Sequence, residues 1–281
     1  MRQRAVYDLA DLADPEFFAE LETGIGLCVA NATRIMADVA VLAKDGRYQA
    51  ARILQNVANE ETAKAMILMD AVRCPRAPKE VLVRQLKYFA QHLPKGLYVC
   101  VAEGRPCSFA EVQGRIERER KQYYLDGPDG GEFAVCNYIL SAREQAMYVD
   151  YIVADESKWW HDPVTHHLLV FGPDDFRPGG IFRMVSALHA AGCFSAAALA
   201  TIADLWRCVT VDGAMTIHEL RDLNEATLRA LDAKGLLKAA GREAFGLIVN
   251  ECPFPLHPLD LTQEKVNKEA LLEQRSWPGY T

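Results

Sequence analysis

The sequence lacks most of the features that mark common classes of protein. Its 281 residues contain no continuous run of about 18 apolar residues, so no transmembrane helix is predicted. No apolar segment follows the two early arginines, as one does in a signal peptide, so we expect a cytoplasmic protein with no membrane partner. The net charge of −7 argues against a broadly basic surface that coats nucleic acid, but it leaves room for a local basic cleft.

Metal and cofactor motifs are missing as well. The eight cysteines are scattered without a C-x-x-C pair, which predicts reduced, buried thiols rather than disulfides or zinc ligands. Glu60 and Glu61 have no histidine three residues later, as a di-metal carboxylate bundle requires. No glycine-rich phosphate-binding motif and no G-x-S-x-G are present. We therefore expect neither a metal nor a cofactor.

Helical periodicity dominates the chain, which predicts an all-α fold. We divide it into a helical bundle over 14–155, an irregular loop rich in aromatics and histidine over 156–180, and additional helices with an extended proline-rich tail over 181–281, packed on the bundle. The first two helices form an antiparallel hairpin around the turn at Lys44–Gly46. Later boundaries are predicted at these positions: a third helix over Lys79–His92, a charged helix over Ser108–Tyr124, and another over Asn137–Val153.

The second helix carries the least expected residue. On a helical wheel, Glu61 falls inside an apolar face, and Lys64 lies on its flank beside Glu60. A carboxylate facing a core is costly unless it is paired or used. Glu60 and Lys64 also have the spacing of an ordinary surface ion pair, so that interpretation stays open.

Other helices carry polar residues that could approach Glu60, Glu61 and Lys64. Asn31 lies at the edge of the first helix's apolar face. His92 lies to one side of the third helix's apolar stripe, and Lys95 comes just after it. Facing helices of a bundle build sites from such side chains. His92 can alternatively be a residue that interacts with the C-terminal dipole of its helix.

A second pair lies further along the chain. Arg183 and His189 are separated by five residues on one predicted helix. One can act as an acid or base while the other binds phosphate, although ordinary helices often contain this spacing.

These residues resemble a known family. Gly24, Asn31 and Ala32 on the first helix, the A-x-E-E-x-x-K-A block from Ala58 to Ala65, and F-x-x-H-x-x-K at Phe89, His92 and Lys95 are similar to the AbiV abortive-infection family of the HEPN superfamily. The segment Arg143–Pro163 is similar too. The resemblance implies an up-and-down helical bundle, a homodimer, and a role in anti-phage defence in which infected cells shut down.

Many HEPN proteins are metal-independent endoribonucleases with an Arg-x4-6-His motif, so the resemblance implies a toxin that cleaves or binds RNA and suppresses translation. Here the motif departs from that pattern, because Lys87 and not arginine stands at the matching distance before His92. We expect His92 to be the acid or base, Lys95 and Lys64 to bind phosphate, and Glu61 and Asn31 to orient these groups. Glu60 belongs to the same catalytic set. Arg183 and His189 are the alternative pair.

Partners follow from the same resemblance: a second copy of the chain, RNA or ribosome-associated RNA, and a phage-encoded activator protein. The alternative hypothesis is a non-catalytic HEPN module that binds a nucleotide, a phage protein or a ribosome component. The acidic net charge and the incomplete motif favour that alternative.

Overall fold

Helices dominate the part of the chain that the structure describes, so the all-α prediction is confirmed. A computed structural model describes residues 5–126, 132–135, 137–154, 157–163 and 176–265. Within these residues the α-helices are α1 Asp14–Lys44, α2 Tyr48–Arg73, α3 Lys79–Lys87, α4 His92–Gly104, α5 Phe109–Glu119, α6 Tyr138–Gln145, α7 Gly180–Ala191, α8 Ala196–Trp206, α9 Ile217–Ala233, α10 Ala239–Glu243 and α11 Phe245–Glu251. Two antiparallel hairpins accompany them, β1 Tyr123–Asp126 with β2 Glu132–Val135 and β3 Asp150–Ala154 with β4 Ser157–His161.

Helix α2 is the central helix of the fold. It packs against α1, α3, α4, α7 and α8. Of its 26 residues, 14 are buried, and burial is nearly continuous after Thr62. Neighbouring helices surround this half of α2, so its buried residues do not form a single apolar stripe. The wheel therefore cannot decide which neighbour Glu60 or Glu61 faces.

Helix α1 is long and apolar. An 18-residue window reaches a mean hydropathy of 1.6, enough by length and composition to cross a membrane. A core helix of a soluble protein passes the same test, and α1 buries ten residues, among them Phe17, Leu21 and Ile25, against the rest of the fold.

Several predicted boundaries are wrong. The charged helix ends at Glu119 instead of Tyr124, and Tyr123 starts a strand. The helix predicted over Asn137–Val153 stops at Gln145, after which β3 begins at Asp150. Tyrosine, isoleucine and valine fill β3, and such residues favour an extended backbone over a helix. The irregular loop contains β4, while its residues 164–175 lie outside the described part of the chain.

The proline-rich tail closes the bundle. Residues 252–264, which we call the C-terminal strap, run across α2, α3 and α5 with Leu256 and Leu261 fully buried. The backbone N–H of Leu256 donates to Asp70 at 2.7 Å, and that of Leu261 donates to Tyr88 Oη at 3.0 Å. The strap therefore satisfies polar groups that belong to the N-terminal bundle.

Candidate functional site

Glu60 on α2 lies at the centre of a cationic cluster. Its carboxylate accepts hydrogen bonds from Lys95 Nζ at 2.6 Å and from Arg143 Nε at 2.9 Å. The Nδ1 atom of His92 lies 2.9 Å from both carboxylate oxygens. Three helices meet here, because His92 and Lys95 belong to α4 and Arg143 belongs to α6.

The cluster is partly shielded from solvent. The side chain of Lys95 is 5% exposed and that of Glu60 is 16% exposed. Burial raises the pKa of Glu60, but the hydrogen bonds and charges of Lys95 and His92 together lower it below its usual value. Glu60 is therefore ionised at neutral pH, where its negative charge holds the cations of α4 and α6 together.

His92 begins α4, so the prediction that it ends the third helix is wrong. Helix α3 stops at Lys87, and Gln91 is extended with φ −103° and ψ 137°. Pro94 occupies the first turn of α4, where a helix does not need the missing N–H, so this proline helps to start a helix instead of ending one. The dipole at this end favours anions, not a protonated histidine.

The ring of His92 is suited to proton transfer. Its side chain is 47% exposed. A neutral ring whose Nδ1–H donates to Glu60 leaves the lone pair of Nε2 for a ligand. Glu60 thus fixes both the tautomer and the orientation of the ring.

Two residues bring α6 and its arginine to this position. Asn137, which is fully buried, accepts a hydrogen bond from the N–H of Ile139 at 2.9 Å and donates to the carbonyl of Lys121 at 3.1 Å. It therefore caps α6 and ties it to the end of α5. Gly96 on α4 packs directly against Ile139, and a Cβ atom at Gly96 would collide with that side chain. The close approach of α4 and α6 requires glycine here.

A cavity of about 490 Å³ opens beside the cluster, between α2, α4 and α6. Glu60, Arg143 and Arg52 are the charged residues that line it. The lining also includes the ring of His92, the amides of Asn56 and Asn59, and the exposed ring of Tyr138. Small-molecule sites have volumes of about 300–1,000 Å³. Guanidinium groups suit phosphate, and an aromatic face suits a nucleic-acid base.

Comparison with known protein families gave a match. A sequence model of the AbiV family of HEPN proteins matches residues 20–165, which is more than half of the chain. The chain belongs to the AbiV family. Neither the curated proteins nor the solved structures gave a significant match. The family points to abortive-infection defence, and the matched region contains the whole Glu60 cluster.

The structure divides the six residues predicted from the AbiV-like motifs into two groups and a single residue, Asn31, which stands apart. Glu60, His92 and Lys95 come together. Glu61 and Lys64 form a separate ion pair at 2.5 Å, and Lys64 lies over the ring of Phe89, 5.1 Å from its centre. The carboxylate that gathers His92 and Lys95 is therefore Glu60, not Glu61 as the wheel indicated.

The reason is the direction from which neighbours approach α2. Helices α4 and α6 contact the side that carries Glu60, while Glu61 faces α1. There the burial of the Cys28 thiol, with the charge of Glu61, raises the pKa of that thiol to about 11. Asn31 on α1 accepts a hydrogen bond from Arg34 at an exposed position. Asn31, Glu61 and Lys64 are not among the residues that line the cavity.

The alternative pair lies on α7, in a different setting. Arg183 is 53% exposed and faces Glu251 of α11 at 3.9 Å. His189 is exposed near the other end of the helix, 6.3 Å from Phe194 between ring centres. The two residues thus have different neighbours.

Sequence reasoning missed Arg143 and Arg52 as site residues. Arg143 was noted only as part of the AbiV-like segment, and the helix predicted for it ran eight residues too far, from Gln145 to Val153. Nothing local in the sequence marks Arg52, which is three residues from its hydrogen-bond partner Gln55. In the described ranges, no group of three or more His, Cys, Asp or Glu residues could hold a metal ion.

Proposed function

We propose that this AbiV-family protein is an abortive-infection toxin that binds single-stranded RNA in the cavity beside Glu60 and cleaves it without a metal, thereby suppressing translation. One observation carries the proposal: a carboxylate-oriented histidine and two arginines line the same cavity. RNA cleavage by its own 2′-hydroxyl needs a base for that hydroxyl and cations for the charge that develops on phosphorus.

Each residue has a distinct role in this proposal. His92 Nε2 accepts the proton of the 2′-hydroxyl, whose oxygen then bonds to the adjacent phosphorus to form a 2′,3′-cyclic phosphate. The bond from phosphorus to the 5′-oxygen breaks in the same step, and the leaving 5′-oxygen takes a proton from water. Arg143 and Arg52 bind the phosphate, since both line the cavity. Glu60 and Lys95 are positioning residues, because Lys95 is buried, does not line the cavity, and contacts Glu60 and His92, which do.

The requirement for single-stranded RNA follows from the reaction geometry. The attacking and leaving oxygens must lie in line across phosphorus, which an A-form duplex does not allow. The ring of Tyr138, 70% exposed, offers a surface on which an unpaired base can stack.

The test compares matched histidine and arginine variants. We expect His92→Gln and Arg143→Gln to lose host toxicity and to reduce RNA cleavage in EDTA by at least about a hundredfold, the range for a general base. His189→Gln and Arg183→Gln serve as controls on α7 and should keep both activities. Full activity of His92→Gln, or loss of activity only in the α7 variants, would contradict the proposal.

A nucleotide-binding module is the second candidate, and the size of the cavity favours it. About 490 Å³ accommodates a mononucleotide as readily as one residue of an RNA chain. Saturable binding of a nucleotide, abolished by Arg143→Gln, in a protein that cleaves no RNA would support this function over the first.

The partners of the toxin belong to the same proposal. We propose a homodimer in the cytoplasm, with RNA or ribosome-associated RNA as the target and a phage-encoded protein as the activator. Light scattering of the purified protein tests the dimer, and a monomer at micromolar concentration would contradict it.

A further inference from the structure

A second cavity, of about 350 Å³, lies on the other side of the start of α4. Helix α3, the short turn after it and the strap surround it. Lys79, Arg84 and Lys87 contribute three positive charges to its lining, against one carboxylate, Glu80. We call it the basic cleft. In a protein with net charge −7, this concentration of cations needs an explanation.

The cations of the basic cleft are held in place but remain accessible. Lys79 pairs with Asp11 and is 53% exposed, and Lys87 is exposed with its Nζ 5.7 Å from the centre of the Tyr7 ring. Arg84 donates to the carbonyl of His257 at 3.1 Å. Its Nε is buried with no hydrogen-bond partner among the described residues. Asp260 lies near Arg84 and offsets part of its charge.

The two cavities adjoin at consecutive residues. Gln91 lines the basic cleft, and His92 lines the cavity beside Glu60. One peptide bond therefore separates the residue that lines the basic cleft from the residue that lines the cavity beside Glu60, and the two openings lie on either side of the start of α4. The extended backbone of Gln91 turns its side chain and that of His92 in different directions, towards the two openings.

We infer that the basic cleft is a phosphate subsite for the same single-stranded RNA, binding nucleotides next to the one held at His92. The inference rests on the RNA function proposed above and assigns it a second contact region. The cleft contains lysines and an arginine but no histidine, so it binds the backbone and does not react with it.

The direct test is the dependence of binding on RNA length. The full-length protein in EDTA, with His92→Gln to prevent cleavage, is titrated with a labelled, unstructured RNA of ~12 nucleotides and with a trinucleotide. We expect Lys79→Gln with Lys87→Gln to weaken binding of the longer RNA about tenfold and to leave the trinucleotide unaffected. The slope of log affinity against log salt should fall by about 1.4, or about 0.7 for each lost phosphate contact on a single strand.

A matched control removes the same charge elsewhere. Arg118 and Arg229 are 62% and 73% exposed and lie on α5 and α9. Arg118→Gln with Arg229→Gln should leave binding of both RNAs unchanged. The inference would be overturned if the control pair weakened RNA binding as much as the cleft pair, or if the cleft pair weakened binding of the trinucleotide as much as that of the longer RNA. It would also be overturned if the cleft pair had no effect on binding, or if the wild-type protein bound neither RNA. Lys87→Glu alone, which leaves the Lys79–Asp11 pair intact, provides the same readout if the double variant is unstable.

Failure of the two proposals can be told apart. If the cleft pair weakens binding but Arg143→Gln does not, the cleft binds RNA and the cavity beside Glu60 is not the reactive site. If only Arg143→Gln weakens binding, the cavity is the RNA site and the basic cleft has no part in it.

Discussion

Helix α2 carries a partly buried carboxylate, Glu60, and a fully buried one, Asp70, and the two differ in almost every physical respect. Glu60 has two cationic partners, Lys95 and Arg143, a third partner in the ring of His92, and lines a cavity. Asp70, ten residues later, is 1% exposed. It accepts from Tyr98 Oη at 2.6 Å and from the backbone N–H of Leu256 at 2.7 Å. The first carboxylate organises a site for a ligand, and the second joins parts of the fold.

The pKa values of the two groups move in opposite directions. Burial raises the pKa of Asp70, and the charge of Arg73 with the bonds from Tyr98 and Leu256 only partly opposes this rise. The pKa of Glu60 is lowered, because its cationic partners outweigh its smaller burial. A carboxylate beside a cavity can thus stay charged at little cost, whereas one in the core depends on every donor around it.

The largest expected effect comes from removing the core carboxylate. Asp70→Asn leaves the guanidinium of Arg73 buried without its charge partner and weakens the bond to the strap. We expect the free energy of unfolding to fall by about 3–5 kcal/mol, as for a broken buried ion pair. Urea denaturation measures it. Tyr98→Phe, which removes one hydrogen bond, should cost only about 1 kcal/mol. A loss below 1 kcal/mol for Asp70→Asn would show that this network does not hold the strap.

This contrast also explains what the sequence could and could not predict. Periodicity located α1, α2 and the presence of further helices after residue 180, two of which begin at capping residue types, Ser195 before α8 and Thr216 before α9. The partners of Asp70 were not predictable, because Leu256 is 186 residues away and donates through its backbone. A helical wheel assumes that one face of a helix is buried, whereas α2 is in contact with neighbouring helices on several sides. The wheel therefore could not show which side of α2 faces the site.

The site was predicted in the same uneven way. His92 and Lys95 were found because family-like spacing marks them, whereas Arg143 depends on where α6 packs. That packing depends on Gly96 and Asn137, whose roles become visible only when α4, α5 and α6 are placed together.

The second prediction concerns the pH dependence of stability and the histidine of the strap. His257 is buried near Arg73 and Arg84, and burial together with their charges lowers its pKa to about 4. Between about pH 6.5 and pH 4 the unfolded chain therefore binds a proton that the folded protein does not. We expect stability to be complete above this window and to fall by about 1.4 kcal/mol for each pH unit below 6.5.

The measurement is the unfolding free energy of the wild type and of His257→Gln from pH 4.5 to pH 8. The variant should have the shallower dependence, since it cannot bind the proton. Parallel curves for the two proteins would show that His257 does not contribute to the acid sensitivity of the strap.

The smallest expected change in stability comes from a comparison of two neighbouring carboxylates, Glu60 and Glu61. Glu61→Gln removes only an ion pair with Lys64, one turn away on the same helix, and should cost about 0.2–0.5 kcal/mol while leaving toxicity intact. Glu60→Gln should cost about 1–3 kcal/mol, because three charge-assisted bonds are weakened, and it should abolish toxicity.

The stability difference between wild type and Glu60→Gln should shrink as pH falls through the lowered pKa of Glu60, where the wild-type carboxylate also loses its charge. Equal toxicity of the two variants would mean that the cavity beside Glu60 is not where this protein acts.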